Sequence, residues 1–190
     1  MFTKMDEKMK KEKKVAEIEI PSDISIELSN NQLILTKGNK KVVKIFKAEG
    51  IAIEKRENKI TITSNDSRKK TIAVANAIIA HVKNMIVGLQ KGYIYRLKVI
   101  YAHFPMNIQR KGKNIEINNF IGGKKQRIAK IIGDTLVEIK GKDITVSGSN
   151  KEDVGQTVAN MELASRVKNK DLRVFHDGIY LYKKEVGTGK

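Results

Sequence analysis

The stretch at residues 144–160, ITVSGSNKEDVGQTVAN, matches the stretch at residues 60–76, ITITSNDSRKKTIAVAN, and this match decides how the chain is organised. Both begin with an alternating tetrapeptide typical of a β-strand, and both end in Val-Ala-Asn. A third match pairs Ile-Pro-Ser-Asp-Ile at 20–24 with Phe-Pro-Met-Asn-Ile at 104–108. The matched segments are separated by 84 residues in every case, and this constant spacing indicates a duplicated unit.

Each copy has the pattern of several short strands followed by one long helix. In the first copy, apolar and polar residues alternate in short runs near 15–20, 24–28, 33–35, 42–46, 51–54 and 60–63, which predicts strands. Apolar residues then recur every three or four positions from about 69 to 89, which predicts a helix with one buried side. A further strand is predicted at 93–101.

The second copy repeats this order. Ser149-Asn-Lys-Glu152 has the spacing of a helix capping box, and the apolar stripe that follows it runs from Val154 to Val167. We therefore predict an α+β fold of two tandem duplicated domains, each a mostly antiparallel β-sheet with one packed α-helix. The predicted divisions are a basic N-terminal arm at 1–14, a first domain at 15–97, a second domain at 98–184 and a short tail at 185–190.

The net charge of +17, with a pI near 9.9, is the strongest global feature of the chain. It indicates an extended polyanion as the partner, with nucleic acid favoured over a membrane surface. A basic protein without such a partner is the alternative. Arginine accounts for only seven of the 38 basic residues, so most of the charge is lysine, which positions a phosphate backbone and does not read bases.

The composition also indicates the cellular compartment in which the protein is expected. The longest apolar run, at 72–89, is interrupted by four polar residues, and residues 1–14 lack the apolar block of a signal peptide. The absence of cysteine is typical of a reducing compartment and excludes thiolate chemistry and Cys-type zinc sites. We expect a cytoplasmic protein with no membrane partner.

Basic residues cluster in the second copy between residues 107 and 130, where Glu116 is the only acidic residue. Glycines at 112, 122 and 123 would let the backbone approach a phosphate closely. A solvated hairpin is the alternative interpretation, and five lysines at 37–47 form a weaker equivalent in the first copy. The candidate nucleic-acid-binding residues of the cluster are Arg110, Lys111, Lys113, Lys124, Lys125, Arg127 and Lys130.

The sequence has no strong motif for catalysis, metal binding or nucleotide binding. The Gly-Gly-Lys-Lys segment at 122–125 lacks P-loop spacing, and the histidines at 81, 103 and 176 lack the spacing of a metal site. His176 and Asp177 could form an acid/base pair, but neighbours on a strand point to opposite faces, and a turn before Gly178 explains Asp177 equally well. We predict no catalytic residue, no metal and no cofactor.

Six short motifs in the second copy carry a family resemblance. They are His-Phe-Pro-Met at 103–106, Gly-Asp-Thr at 133–135, Val-Glu-Ile-Lys-Gly at 137–141, Val-Ser-Gly at 146–148, Val-Gly-Gln-Thr at 154–157 and Arg-Val-Phe-His-Asp-Gly-Ile-Tyr at 173–180. Together they resemble the large-ribosomal-subunit protein six family, in its archaeal and eukaryotic branch. The resemblance covers about residues 15–184. Its most specific part is the last motif, at 173–180, which we call the closing motif.

The resemblance implies a structural protein of the large ribosomal subunit that binds rRNA in the cytoplasm, beside neighbouring large-subunit proteins. It also implies a position near the base of the stalk and the rRNA loop on which translational GTPases dock, with the second domain making the main contacts. Asp177 would order the turn at 173–178, and Arg173 would donate to a phosphate or a base edge. The residues that would form this contact are Arg173, His176, Asp177, Gly178, Lys183 and Lys184.

Two other functions stay open on the sequence alone. An RNA-acting enzyme would use His176 or His103, although the sequence shows no paired catalytic groups that would support it. A free-standing nucleic-acid chaperone would share the charge but would leave mature ribosomes at high salt.

Overall fold

The computed structural model describes residues 13–29, 32–46, 50–56, 58–65, 68–101 and 103–187, and only the backbone of 13–15. Apart from its last two residues, the predicted arm at 1–14 lies outside the described residues, as do 188–190 of the predicted tail. The chain divides into two compact units, Met1–Ile86 and Val87–Lys190. The predicted α+β class with mostly antiparallel sheets is confirmed.

The described residues of the first unit form two three-stranded antiparallel sheets. Its strands are β1 (Lys13–Glu19), β2 (Ser25–Ser29), β3 (Gln32–Lys37), β4 (Lys40–Ile45), β5 (Ile51–Arg56) and β6 (Lys59–Ser64). Their orders are β1–β6–β5 and β2–β3–β4. The central strands bury alternate apolar side chains, Leu33 and Leu35 of β3 and Ile60 and Ile62 of β6, all at 1% exposure or less.

Helix α1 (Lys69–Gln90) follows β6, and the boundary between the two units falls within it. Ala75 and Val82 are fully buried, whereas Asn76 and Lys83 are exposed. This one-sided burial is what the apolar stripe predicted. By length and composition alone, α1 is apolar enough to cross a membrane, a test that the core helix of a soluble protein also passes.

The part of the second unit that the structure describes forms a four-stranded and a three-stranded sheet. Its strands are β7 (Tyr93–Ile100), β8 (Asn107–Lys111), β9 (Asn114–Asn118), β10 (Arg127–Lys130), β11 (Leu136–Lys140), β12 (Asp143–Gly148) and β13 (Gly178–Val186). The orders are β11–β12–β7–β13 and β10–β9–β8, all antiparallel. The predicted boundary at 97/98 lies inside β7, which belongs wholly to this unit.

Helix α2 (Lys151–Ala164) packs against β7, β10, β12 and β13. Its N-cap is Asn150, one residue beyond the Ser149 of the predicted capping box. The Asn150 side-chain oxygen accepts from the backbone N–H of Glu152 at 3.0 Å, and its amide donates to Asp153 Oδ2 at 2.9 Å. The N-terminus is thus capped as expected, but shifted by one position.

The prediction that the stripe of α2 stays helical to Val167 is wrong, because tertiary contacts end the helix at Ala164. The Ser165 hydroxyl donates back to the carbonyl of Met161 at 2.9 Å and accepts the backbone N–H of Ile179 at 2.9 Å. The carboxylate of Glu162 accepts the backbone N–H of Leu181 at 3.0 Å. The end of α2 therefore covers the outer edge of β13 where that strand begins.

Candidate nucleic-acid interface

The His-Phe-Pro-Met segment at 103–106 holds the closing turn, which we define as residues 171–178. His103 Nδ1 lies 2.8 Å from Asp177 Oδ2, and the backbone N–H of His103 donates to the other carboxylate oxygen at 3.3 Å. Asp177 is completely buried, and the His103 ring stacks on Phe175 with the centroids 4.4 Å apart. The His103–Asp177 pair therefore ties two segments together, and the Asp177 carboxylate does not reach the surface.

The same segment contacts the basic loop, which we define as residues 119–126 between β9 and β10. A Cβ at Gly122 would lie 3.2 Å from the Phe104 ring, so a larger residue would require the ring to shift by a few tenths of an ångström. The φ of +69° at this position is one that glycine favours. The side-chain amide of Asn119 donates to the carbonyl of Pro105 at 3.0 Å. Segment 103–106 thus contacts both the closing turn and the basic loop.

Asp171 builds the start of the closing turn. Its carboxylate accepts the backbone N–H of Arg173 at 2.9 Å, and its carbonyl accepts the N–H groups of Val174 and Phe175 at 3.1 and 3.0 Å. The Arg173 guanidinium pairs with Asp171 at 3.2 Å, and its side chain is 90% exposed. Hydrogen bonds from the Arg173 side chain, and then from its backbone N–H, hold the pKa of Asp171 below the ordinary 3.8. The turn therefore presents a cation to solvent on an ordered backbone.

The cluster predicted between residues 107 and 130 is divided by the β8–β9–β10 sheet. Because β9 and β10 pair antiparallel over four residues, the two ends of this pairing lie about 10 Å apart at about 3.4 Å per residue. Lys111, Lys113 and Lys130 lie at the end formed by the β8–β9 turn. Lys124 and Lys125 lie in the basic loop, beyond the opposite end. The lysines of this cluster are close together in the sequence, but in the structure they form two separate groups at opposite ends of the β9–β10 pairing.

The two arginines of that cluster bond within the second unit. Arg127 Nη1 donates to the carbonyls of Ala164 and Arg166 at 2.9 and 3.0 Å, and its guanidinium carbon lies 4.0 Å from the Phe120 ring centroid. Burial lowers the pKa of Arg127. Arg110 donates to the carbonyls of residues 112 and 137 at 3.3 and 3.5 Å. Arg127 thereby satisfies carbonyls at the end of α2, a role that the sequence did not reveal.

The other predicted residues of the closing motif differ in exposure. His176 is exposed, and its carbonyl accepts from the Tyr180 hydroxyl at 3.2 Å. Gly178 is buried, and a Cβ there would lie 3.0 Å from the Tyr180 ring. Lys183 and Lys184 are exposed on β13. Lys183 pairs with Glu185 at 2.6 Å, and Lys184 Nζ lies 5.6 Å from the centroid of the Tyr95 ring. Gly178 therefore packs beside the Tyr180 ring, whereas the exposed Lys183 and Lys184 are accessible to a partner.

Sequence reasoning missed three exposed cations between α2 and the closing turn, at Arg166, Lys168 and Lys170. Lys170 Nζ lies 4.6 Å from the centroid of the Phe175 ring, the same ring that stacks on His103. The sequence RVKNKDLR at 166–173 is a basic run that could have indicated these cations. It was overlooked because its first two residues were assigned to the predicted helix.

The described residues were also compared with the requirements of a metal site. Within the described ranges, no group of three or more His, Asp or Glu side chains is arranged to hold a metal ion.

Comparisons with known proteins connect this arrangement to a family. The family model described as Ribosomal protein L6 matches residues 20–92 and 104–178, and these two segments begin 84 residues apart. Large ribosomal subunit protein uL6 of Methanosarcina mazei is 44% identical over 168 residues, covering 88% of this chain and 95% of that protein. The protein of the same name from Methanococcus vannielii is 39% identical over 168 residues, covering 88% and 92%. That from Staphylothermus marinus is 54% identical over 120 residues, covering 62% and 64%.

The double match confirms the duplicated organisation predicted from the spacing of 84 residues. The match covers more than half of the chain, and two of the relatives align over nearly nine tenths of it. The chain therefore belongs to the ribosomal protein L6 family, in its archaeal branch.

Proposed function

We propose that this protein binds the rRNA of the large ribosomal subunit through the closing turn and the basic loop of its second unit. Membership of the family makes it a structural ribosomal protein of the cytoplasm and not an enzyme, with rRNA and other ribosomal proteins as its partners. The observation that carries the proposed contact is segment 103–106, which contacts both cationic elements. Because the two elements are held before binding, little ordering entropy opposes the contact.

The charges of this surface match a phosphate backbone. Arg173 offers a guanidinium that is 90% exposed and can donate to two phosphate oxygens at once. The lysines act as point charges that set the position of the RNA without reading its bases. The exposed cations that carry the proposal are Lys124, Lys125, Lys168, Lys170 and Arg173.

The test is to replace these five cations together by glutamine and to measure affinity for deproteinised large-subunit rRNA at several salt concentrations. If all five neutralise phosphates, the magnitude of the slope of log affinity against log salt should fall by about 3.5 to 4.5. We also expect the variant to wash out of large subunits at a lower salt concentration than the unaltered protein. If the variant and the unaltered protein have equal slopes and equal retention, these cations face solvent and do not contact rRNA.

The matched control removes five exposed cations from the first unit, replacing Lys40, Lys41, Lys69, Lys70 and Lys83 by glutamine. The net charge changes equally in both variants, so non-specific attraction falls equally. We propose that the two units are separate domains and that the rRNA contact is concentrated in the second. A control variant that loses as much affinity as the test variant would contradict that division.

We further propose that the contact lies near the base of the stalk, beside the rRNA loop on which translational GTPases dock. The resemblance of the closing motif supports this location, and Lys183 and Lys184 would extend the contact along β13. A photoreactive amino acid at position 173, in protein assembled into large subunits, should crosslink to nucleotides of that loop or its neighbours. Crosslinks confined to another rRNA domain would contradict the location without affecting rRNA binding itself.

A further inference from the structure

A groove of about 430 Å³ lies between the basic loop and the C-terminal end of α2. Its volume is within the range of sites that hold small molecules. The groove is open to solvent and combines buried and exposed apolar groups: Phe120 is 3% exposed, whereas Ile128 and Leu163 are 54% and 61% exposed. The residues that line it include Phe120, Lys125, Gln126, Arg127, Leu163 and Lys168.

The lining is cationic, with Lys125, Arg127 and Lys168 and no carboxylate. Arg127 uses Nη1 for the carbonyls at the end of α2, and none of the hydrogen bonds among the described residues uses its Nε or Nη2. These donors can therefore bind an anion. Burial has already removed part of the water around this guanidinium, so an anion there would meet a weakly hydrated partner.

The groove also offers surfaces for a flat apolar group. The Arg127 guanidinium packs on Phe120 at 4.0 Å, and arginine planes of this kind stack with bases in RNA complexes. The exposed Leu163 and Ile128 add aliphatic surface beside it. The carboxamide of Gln126 has both donors and an acceptor, which is the combination needed to bind the edge of a base.

We propose that this groove holds one unstacked nucleotide of the large-subunit rRNA, with its phosphate on Lys125, Arg127 and Lys168 and its base against Leu163. The proposal rests on the proposed rRNA binding and adds a defined site to it. A nucleotide is the one RNA component that places an anion and a flat apolar ring side by side, as the groove does. Recognition of single-stranded RNA commonly uses such splayed-out bases.

The test compares Leu163→Glu with Leu136→Glu in the full-length protein. Both leucines are exposed, at 61% and 60%, but Leu136 lies on β11 and does not line the groove. Each substitution adds one negative charge, and because Leu163 lies beside Lys125 and Lys168, the crosslink at position 163 described below separates a lost base contact from repulsion of the phosphates. We expect Leu163→Glu to weaken binding to deproteinised large-subunit rRNA about tenfold more than Leu136→Glu does, because the lost base contact is worth that much. Thermal melting of both variants checks that they remain folded.

A second measurement places a photoreactive amino acid at position 163, where a single rRNA nucleotide should crosslink. Equal affinities of the two glutamate variants, or crosslinks spread over many nucleotides, would overturn the groove and leave rRNA binding intact. If the unaltered protein fails to bind rRNA, the proposed function itself fails. If Leu163→Glu binds rRNA like its control but is lost from assembled subunits, a neighbouring protein occupies the groove and the nucleotide proposal is wrong.

Discussion

The two copies of the duplicated unit differ in the length of their helices. Helix α1 has 22 residues, whereas α2 has 14, although the strand before each helix is offset by 84 residues, β6 at 59–64 and β12 at 143–148. Repetition of α1 in the second copy would keep residues 165–174 helical. The early end of α2 instead releases the chain that forms the closing turn.

The connection between two equivalent strands differs as well. In the first copy, β3 and β4 are joined by a two-residue turn at 38–39, with Gly38 at a φ of +56°. In the second copy, β9 and β10 are joined by the eight residues of the basic loop, in which Asn119 and Ile121 adopt positive φ. The longer connection supplies Lys124 and Lys125 and one side of the groove.

The sheets differ in the same region. β1 lies at an edge of its described three-stranded sheet, whereas its counterpart β7 has β13 as an additional neighbour. The closing turn leads directly into β13. The shorter helix, the longer loop and the added strand therefore all shape the second copy around one surface, which is why we place the rRNA contact there.

The largest effect on stability should follow removal of the buried carboxylate that holds this surface. Asp177→Ala removes both hydrogen bonds to His103 from a completely buried position, and we expect it to lower the free energy of unfolding by about 2 to 3 kcal/mol. Urea denaturation followed by circular dichroism measures this loss. Asp171→Ala, at the exposed end of the same turn, is the control and should cost much less. Equal losses would show that the turn does not depend on Asp177.

A smaller effect should follow removal of the hydroxyl that ends α2. Ser165 is offset by 84 residues from His81, which lies inside α1. The helix of the second copy has therefore ended at a position where that of the first copy continues. Ser165→Ala leaves the backbone N–H of Ile179 without its acceptor in a buried site, and we expect a loss of about 1 to 2 kcal/mol in the same assay. Ser25→Ala, whose hydroxyl makes an exposed bond to the carbonyl of Thr36, is the control. If the two serine variants are equally stable, the Ser165 bond does not define the end of α2.

The sequence predicted the elements of the fold because each element has its own local pattern. Alternation gave the strands, the spacing of apolar residues gave α1, and the constant offset gave the duplication. It did not predict the end of α2, because Val167 continues the apolar stripe and is buried, although it lies beyond the helix. The signals that stop the helix come from Arg127 and from Ile179, which are distant in sequence.

The candidate site was predicted only in part for the same reason. Exposed Arg173 and the buried Asp177 belong to one short motif, so the sequence could indicate both. Whether Lys111 and Lys125 lie together depends on strand pairing, which sequence proximity does not give. The groove needs residues from the basic loop and from α2, which only the folded second unit brings together.

The comparison of the copies predicts a difference in rRNA affinity between two single variants. Arg173→Ala removes an exposed guanidinium from the closing turn, whereas Lys83→Ala removes an exposed cation from α1. We expect the first to weaken binding to large-subunit rRNA about fivefold to tenfold and the second to change it less than about twofold, since a charge-assisted bond is worth about 1 kcal/mol or more. Equal affinities and equal retention in subunits at high salt would remove Arg173 from the proposed contact.

The smallest expected effect is a change in the titration of Asp171, whose counterpart in the first copy is Val87 within α1. Because the folded pKa of Asp171 lies below 3.8, its pairing with Arg173 stabilises the turn above that pH and is lost as the pH falls through the folded pKa. Arg173→Ala removes the side-chain hydrogen bond but keeps the backbone N–H, so the pKa should rise and still remain below 3.8. An NMR titration measures this, with Glu185 as the internal control, because Lys183 and Arg96 hold its pKa low. An unchanged Asp171 pKa would mean that Arg173 does not order the turn in solution and is held only when rRNA binds it.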